Sequence, residues 1–134
     1  MLNTFPDLLV FSLFAPFILR LTLGFIFIRF GGLTLSGDRH RLLTIFQKIR
    51  VPNATFLVFV FGALEIISGV LLVIGLYTQI AALIAGVISL ILLLSKLSGK
   101  PFGSSGALFD FVLFSIALSL LVSGAGFLAF DLPL

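Results

Sequence analysis

Long apolar runs alternate with short polar breaks along this chain, and the runs exceed the length of ordinary strands. The first, from about Leu8 to Phe30, sets Pro16, Arg20 and Gly24 at four-residue steps, so the three share one helical face. Pro16 predicts a kink of the kind neighbouring helices tolerate in a membrane. Gly31-Gly32 predict the end of this helix, and Ser36-Gly37-Asp38 predict a turn with an N-cap. Arg39 to Arg50 then places Leu42, Ile45, Phe46 and Ile49 at i, i+3, i+4 and i+7, a short amphipathic helix for the membrane surface that Pro52 ends. Three more runs follow, at about Thr55–Leu76, Gln79–Leu94 and Ala107–Gly124. A tight turn at Gly75 to Gln79 joins the first two of these and sets Tyr77 at an interface. The pairs Ala81/Ala85 and Ala82/Gly86 are small-xxx-small steps that admit a close helix neighbour. Runs of roughly 20 apolar residues match a bilayer's hydrocarbon core. The expected fold is all-α: an integral membrane four-helix bundle, one domain over residues 1–134, with an interfacial helix at about 39–50 between the first and second spans.

Composition supports lipid as the solvent. The chain is 60% hydrophobic and 10% charged over 134 residues, more apolar surface than a soluble domain of this size can hide. Met1 to Asp7 contains no Lys or Arg, so the start does not read as a secretory signal, and the first run is expected to be retained as a span. There is no cysteine, which removes thiolate nucleophiles, disulfide relays and Fe–S ligation by this chain. His40 is the single histidine, so bis-histidine haem ligation is excluded, and no metal site is expected. The net charge is +3, but its placement matters more. Arg29, Arg39, Arg41, Lys48, Arg50, Lys96 and Lys100 all fall on the connector side of the four runs. The positive-inside rule then puts the connectors in the cytoplasm and both termini outside, in a cell (inner) membrane. Anionic lipid is a nearer partner for the basic connector than nucleic acid, and a homo-oligomer stays open.

One carboxylate stands at the middle of the second run. Glu65 shares a face with Gly62, Ser68 and Gly69. Counted from Phe30 and Thr55, Arg20 and Glu65 both lie ~15 Å deep, so a buried ion pair between the first two helices is expected. Asp110 lies only ~5 Å inside the same side, where it reaches Arg20 through water or faces the interface. Two uses compete for this cluster. It is a bolt that fixes helix order, or a polar floor for a lipophilic ligand at which Glu65 or Asp110 handles a proton. Phe14, Phe17, Phe59 and Phe61 line a quinone-sized pocket on the second reading and face lipid on the first. Ser115, Ser119 and Ser123 form a stripe expected to bond helix backbone.

RLTLGFIFIRFGG at Arg20–Gly32 and VPNATFLVFVFGALEIISGVLLVIGLYTQIAALIAGVI at Val51–Ile88 resemble the DoxX family of small four-span membrane proteins. GAGFLAFD at Gly124–Asp131 resembles the family's closing Gly-x-Gly…Asp element. The resemblance implies a buried Arg20–Glu65 pair, with Asp110 as the acid that opens the last span. Relatives include the small subunit of a thiosulfate:quinone oxidoreductase and proteins tied to redox-stress complexes. The superfamily also holds cargo receptors and receptor chaperones, so fold alone does not assign function. This chain departs from the pattern at Phe30, where relatives often carry His, at Leu33-Thr34-Leu35, where a Lys is common, and at Gln79, where a basic residue is common.

The leading expectation is a membrane subunit that binds a quinone or similar lipophile and meets a soluble oxidoreductase at the basic connector. The chain supplies no covalent cofactor or redox centre of its own, so it is not expected to be a complete enzyme. A scaffold, chaperone or cargo-binding bundle is the first alternative, and a small-solute or proton conduit the second.

Overall fold

The computed structural model describes residues 14–37, 40, 43–44, 47, 50, 52–99 and 106–124. Four helices form a bundle: α1 (Phe14–Ser36), α2 (Ala54–Ile74), α3 (Thr78–Leu97) and α4 (Ala107–Ser123). The first three are long and apolar enough to cross a membrane, and α4, at 17 residues, is a shorter apolar helix. The chain is a multi-pass membrane protein. α1 packs most extensively on α2 and α3 on α4, so the bundle is built from two helix pairs.

Burial is inverted relative to a soluble bundle. Phe25, Phe56, Phe59, Ile67, Leu83 and Val122 are exposed, whereas Arg20, Glu65, Ser68, Ser89 and Asp110 are buried. Lipid solvates large apolar side chains as well as protein does, so those residues gain nothing from the interior. Polar groups have no partners in lipid and collect between the helices.

The α1–α2 contact is the tightest in the molecule, and glycine makes it so. A methyl on Gly24 would lie 2.8 Å from the Gly69 carbonyl oxygen, and one on Gly31 would lie 2.8 Å from the Gly62 carbonyl oxygen. In return, a methyl on Gly69 would lie 2.7 Å from the Gly24 carbonyl oxygen. Both helices space their glycines by seven residues, and the antiparallel pairing joins Gly24 to Gly69 and Gly31 to Gly62. Backbone meets backbone, so no side-chain rotation could relieve an added methyl.

The expected break at Gly31-Gly32 does not occur, and α1 runs on to Ser36. In lipid, a broken helix would leave backbone groups unbonded, a cost that outweighs the ~1 kcal/mol penalty of each glycine. The tight turn after α2 is present. Gly75 caps α2 at φ 79°, its N–H and that of Leu76 both bonding the Leu71 carbonyl. Tyr77, at φ 47° and exposed, precedes α3. The expected amphipathic helix at 39–50 lies mostly outside the described residues. Within it His40, Leu43, Thr44 and Gln47 are helical, Thr44 Oγ1 donates to the His40 carbonyl, and Leu43 packs against the core. The kink at Pro16 needs the residues before Phe14, which also lie outside the described set.

Gly31→Ala and Gly69→Ala should each cost about 1–3 kcal/mol, because a backbone must move. Gly32→Ala, where a methyl meets nothing within 4 Å, and Gly86→Ala, where it sits 3.5 Å from the Ala117 side chain, should be neutral or stabilising by up to about 1 kcal/mol. Denaturation in detergent micelles measures all four. Equal effects at Gly31 and Gly32 would refute the packing.

Candidate functional site

Glu65 projects from the middle of α2 into the α1–α2 contact. Gly62 and Gly69 keep the neighbouring turns narrow, so a carboxylate fits where the backbones nearly touch. Its partner is Thr34, whose Oγ1 donates to Glu65 Oε2 at 2.8 Å with both residues buried. Ser68 Oγ donates to the Glu65 backbone carbonyl at 3.0 Å and so serves its own helix. The sequence marks Thr34 only as a departure from the family pattern, because it follows the two glycines expected to end the helix. Its spacing from Phe27 and Gly31 along α1 was the available signal.

The expected ion pair between Arg20 and Glu65 is not among the contacts of the described residues. Continuation of α1 to Ser36 explains why. Measured from the true helix ends, Arg20 lies roughly 24 Å from Ser36, while Glu65 lies roughly 16 Å from Ala54. The glycine register agrees: Glu65 stands beside Thr34, and Arg20 lies a turn beyond the Gly24–Gly69 crossing. Arg20 is nonetheless fully buried, and its guanidinium lies 5.4 Å from the centre of the Phe17 ring.

Asp110 also differs from expectation. It forms an ion pair with Lys96, linking the first turn of α4 to the last turn of α3, and the carboxylate is fully buried. Phe30 and Phe109 meet edge to face beside it, with ring centres 5.7 Å apart, tying α1 to the start of α4. The sequence places Lys96 on the connector side of the runs without naming a partner for it. Its place one connector before Asp110, on antiparallel neighbours, could have paired them. Ser89, on the buried face of α3, has a hydroxyl that bonds no described residue. Ser115 Oγ donates to the Phe111 carbonyl, as expected of the α4 stripe.

The polar groups therefore occupy separate helix contacts rather than one cluster. Among the described residues no three His, Cys, Asp or Glu side chains converge as metal ligands. A groove of about 90 Å³ opens between α3 and α4, lined by Ala82, Gly86, Leu90, Phe114, Ala117 and Leu121 among others. It suits hydrocarbon, and Arg20, Glu65 and Asp110 do not line it.

Residues 15–98 match the family model of DoxX. The chain belongs to the DoxX family. That match spans α1 to α3 and takes in Arg20, Thr34, Glu65 and Lys96, whereas Asp110 and α4 lie beyond it. The tail element at Gly124–Asp131 lies beyond it too and, after Gly124, outside the described residues. The chain is also similar to "Putative oxidoreductase CatD" of Bacillus subtilis (strain 168), at 30% identity over 114 residues, covering 85% of this chain and 82% of that protein. No solved structure matches. Across the DoxX match the four interface glycines and the Thr34–Glu65 bond fall together, so the matched region contains the complete α1–α2 contact.

Removal of one member of the Lys96–Asp110 pair should be far worse than removal of both. Lys96→Met or Asp110→Leu alone takes the ion-pair partner from a buried charge and should cost about 3–5 kcal/mol, with the double variant costing less than either. Thr34→Val should cost about 1 kcal/mol, and should cost nothing more once Glu65→Leu is present. A double-mutant cycle by micelle denaturation checks both, and additive losses would contradict the pairings.

Proposed function

We propose that this DoxX protein is the membrane subunit of an oxidoreductase system and binds a quinone or similar lipophile at Glu65. The observation that carries the reading is a carboxylate held inside a spanning helix pair with one oxygen engaged by Thr34. Buried ion pairs and hydrogen bonds can order a bundle, yet apolar substitutes often do so equally well, which favours a use for the carboxylate beyond packing. The printed name of CatD supports an oxidoreductase setting. The α3–α4 groove supports hydrocarbon binding on the same bundle, since its lining is apolar and it is open to lipid. In this reading Glu65 accepts or returns the proton that accompanies quinone reduction, and Gly62 and Gly69 hold α1 close against α2 around it. Arg20 and Asp110 hold the surrounding helices in place. Electron transfer falls to a soluble oxidoreductase docked at the basic connector, on the cytoplasmic side if the positive-inside rule governs, with α4 as a fourth span and both termini outside.

A scaffold reading has one specific observation in its favour: Asp110 and Glu65 both bond side chains of a neighbouring helix and thereby hold helix pairs together.

Titration of the purified protein with a short-chain ubiquinone separates the two. Saturable binding is expected, weakened about tenfold by Glu65→Gln, which keeps the size of the side chain but not its charge. No saturable binding, or equal affinity of the variant, would favour the scaffold.

A further inference from the structure

The exposed faces of α2 and α3 are apolar across the middle of the bundle, with Phe59, Ile67 and Val70 on one and Leu83, Val87 and Ile91 on the other. α1 differs, and it is the least apolar of the three long helices. Its exposed residues Ile18, Thr22, Phe25, Arg29, Gly32 and Ser36 recur at alternate steps of four and three, a seam along the whole helix. On another face, the buried residues Arg20, Gly24, Phe27, Gly31 and Thr34 recur at the same steps. The two seams share their chemistry: an arginine, a phenylalanine, glycine and a small hydroxyl. One seam faces the bundle and carries the contact with α2, while the other is exposed, with none of the described helices against it.

Arg29 is the group that decides what the outward seam meets. It lies roughly 10 Å inside the end of α1, is exposed, and makes no hydrogen bond or ion pair with any described residue. Cα–Cβ bonds tilt toward a helix N-terminus, so this side chain starts out directed away from the headgroups at the Ser36 end. A cation there is costly unless it snorkels to the headgroups or meets an anion, and its starting direction favours the second. Gly32 is one turn further on, and the chain itself gives no packing reason for it, since a methyl there would touch nothing within 4 Å. Glycine beside Arg29 leaves room for another backbone to approach.

A second copy in a symmetric contact would set this same face, and so Arg29, against itself. The two carboxylates in the described helices, Glu65 and Asp110, are buried and already bonded to Thr34 and Lys96. We propose that the outward face of α1 docks a membrane-spanning helix of a different protein that carries an Asp or Glu opposite Arg29. This surface is distinct from the basic connector and does not depend on the lipophile reading.

The chain has no cysteine, so a single Ser98→Cys at the exposed end of α3 takes one dye cleanly. The labelled full-length protein, in phosphatidylcholine vesicles, is titrated with a synthetic Leu/Ala-rich spanning peptide bearing an acceptor dye and one aspartate at the depth of Arg29. Matched peptides carry Asn or Lys there. Saturable energy transfer is expected, about three- to tenfold tighter for Asp than for Asn and absent for Lys. Arg29→Leu should remove the preference for Asp, Gly32→Ile should abolish binding, and Phe59→Leu on α2 should change nothing. Equal binding of the three peptides to the unsubstituted protein would overturn the proposal without recourse to any variant, as would a preference for Asp that survives Arg29→Leu. A phospholipid phosphate is the competing occupant. If phosphatidylglycerol vesicles erase the preference for Asp, and native mass spectrometry shows phosphatidylglycerol retained only while Arg29 is present, the site belongs to lipid and the helix proposal fails.

Discussion

Two backbones touch along the α1–α2 seam, and most of what is distinctive about this protein depends on that approach. Gly24 and Gly31 on one helix meet Gly69 and Gly62 on the other so closely that a methyl on Gly24, Gly31 or Gly69 would strike main-chain atoms. In lipid there is little hydrophobic drive to bring helices together, so close van der Waals contact and polar bonds between helices must supply the association. The glycines provide the first and permit the second, because Thr34 reaches Glu65 only when the helix axes are near. The seven-residue spacing on both helices fixes the register, and the register fixes which polar groups can meet.

That register also separates the charged groups. Glu65 belongs to the α1–α2 contact, Asp110 to the α3–α4 contact through Lys96, and Arg20 to a level further along α1 beside Phe17. Each helix pair thus carries its own buried polar bond, and the Phe30–Phe109 contact ties the first pair to the second. Such division suits a bundle whose pairs are individually held and less tightly joined to each other. The DoxX match covers the first pair completely and only half of the second.

Much of this was legible in the sequence. Long apolar runs predicted the described helix ends to within three residues, except the end of α1, since in lipid a helix must persist until polar residues can meet water. Gly62, Glu65, Ser68 and Gly69 were correctly placed on one buried face by the helical repeat. The error at Gly31-Gly32 came from applying soluble-helix logic, in which paired glycines end a helix. In this bundle Gly31 is an interface residue and Gly32 faces outward. One boundary misplaced by six residues shifted the depth of Arg20 by roughly 9 Å, enough to create a salt bridge on paper. Asp110 was located but mispartnered, because partner choice depends on which helices are neighbours, and a single sequence does not state that.

The α1–α2 approach can be observed directly by magic-angle-spinning NMR of the protein in lipid bilayers with its glycines labelled. The account predicts through-space cross-peaks joining Gly24 to Gly69 and Gly31 to Gly62, with none from Gly32 to α2. Spectra in which Gly24 and Gly31 contact lipid chains, with no cross-peak to α2, would contradict it.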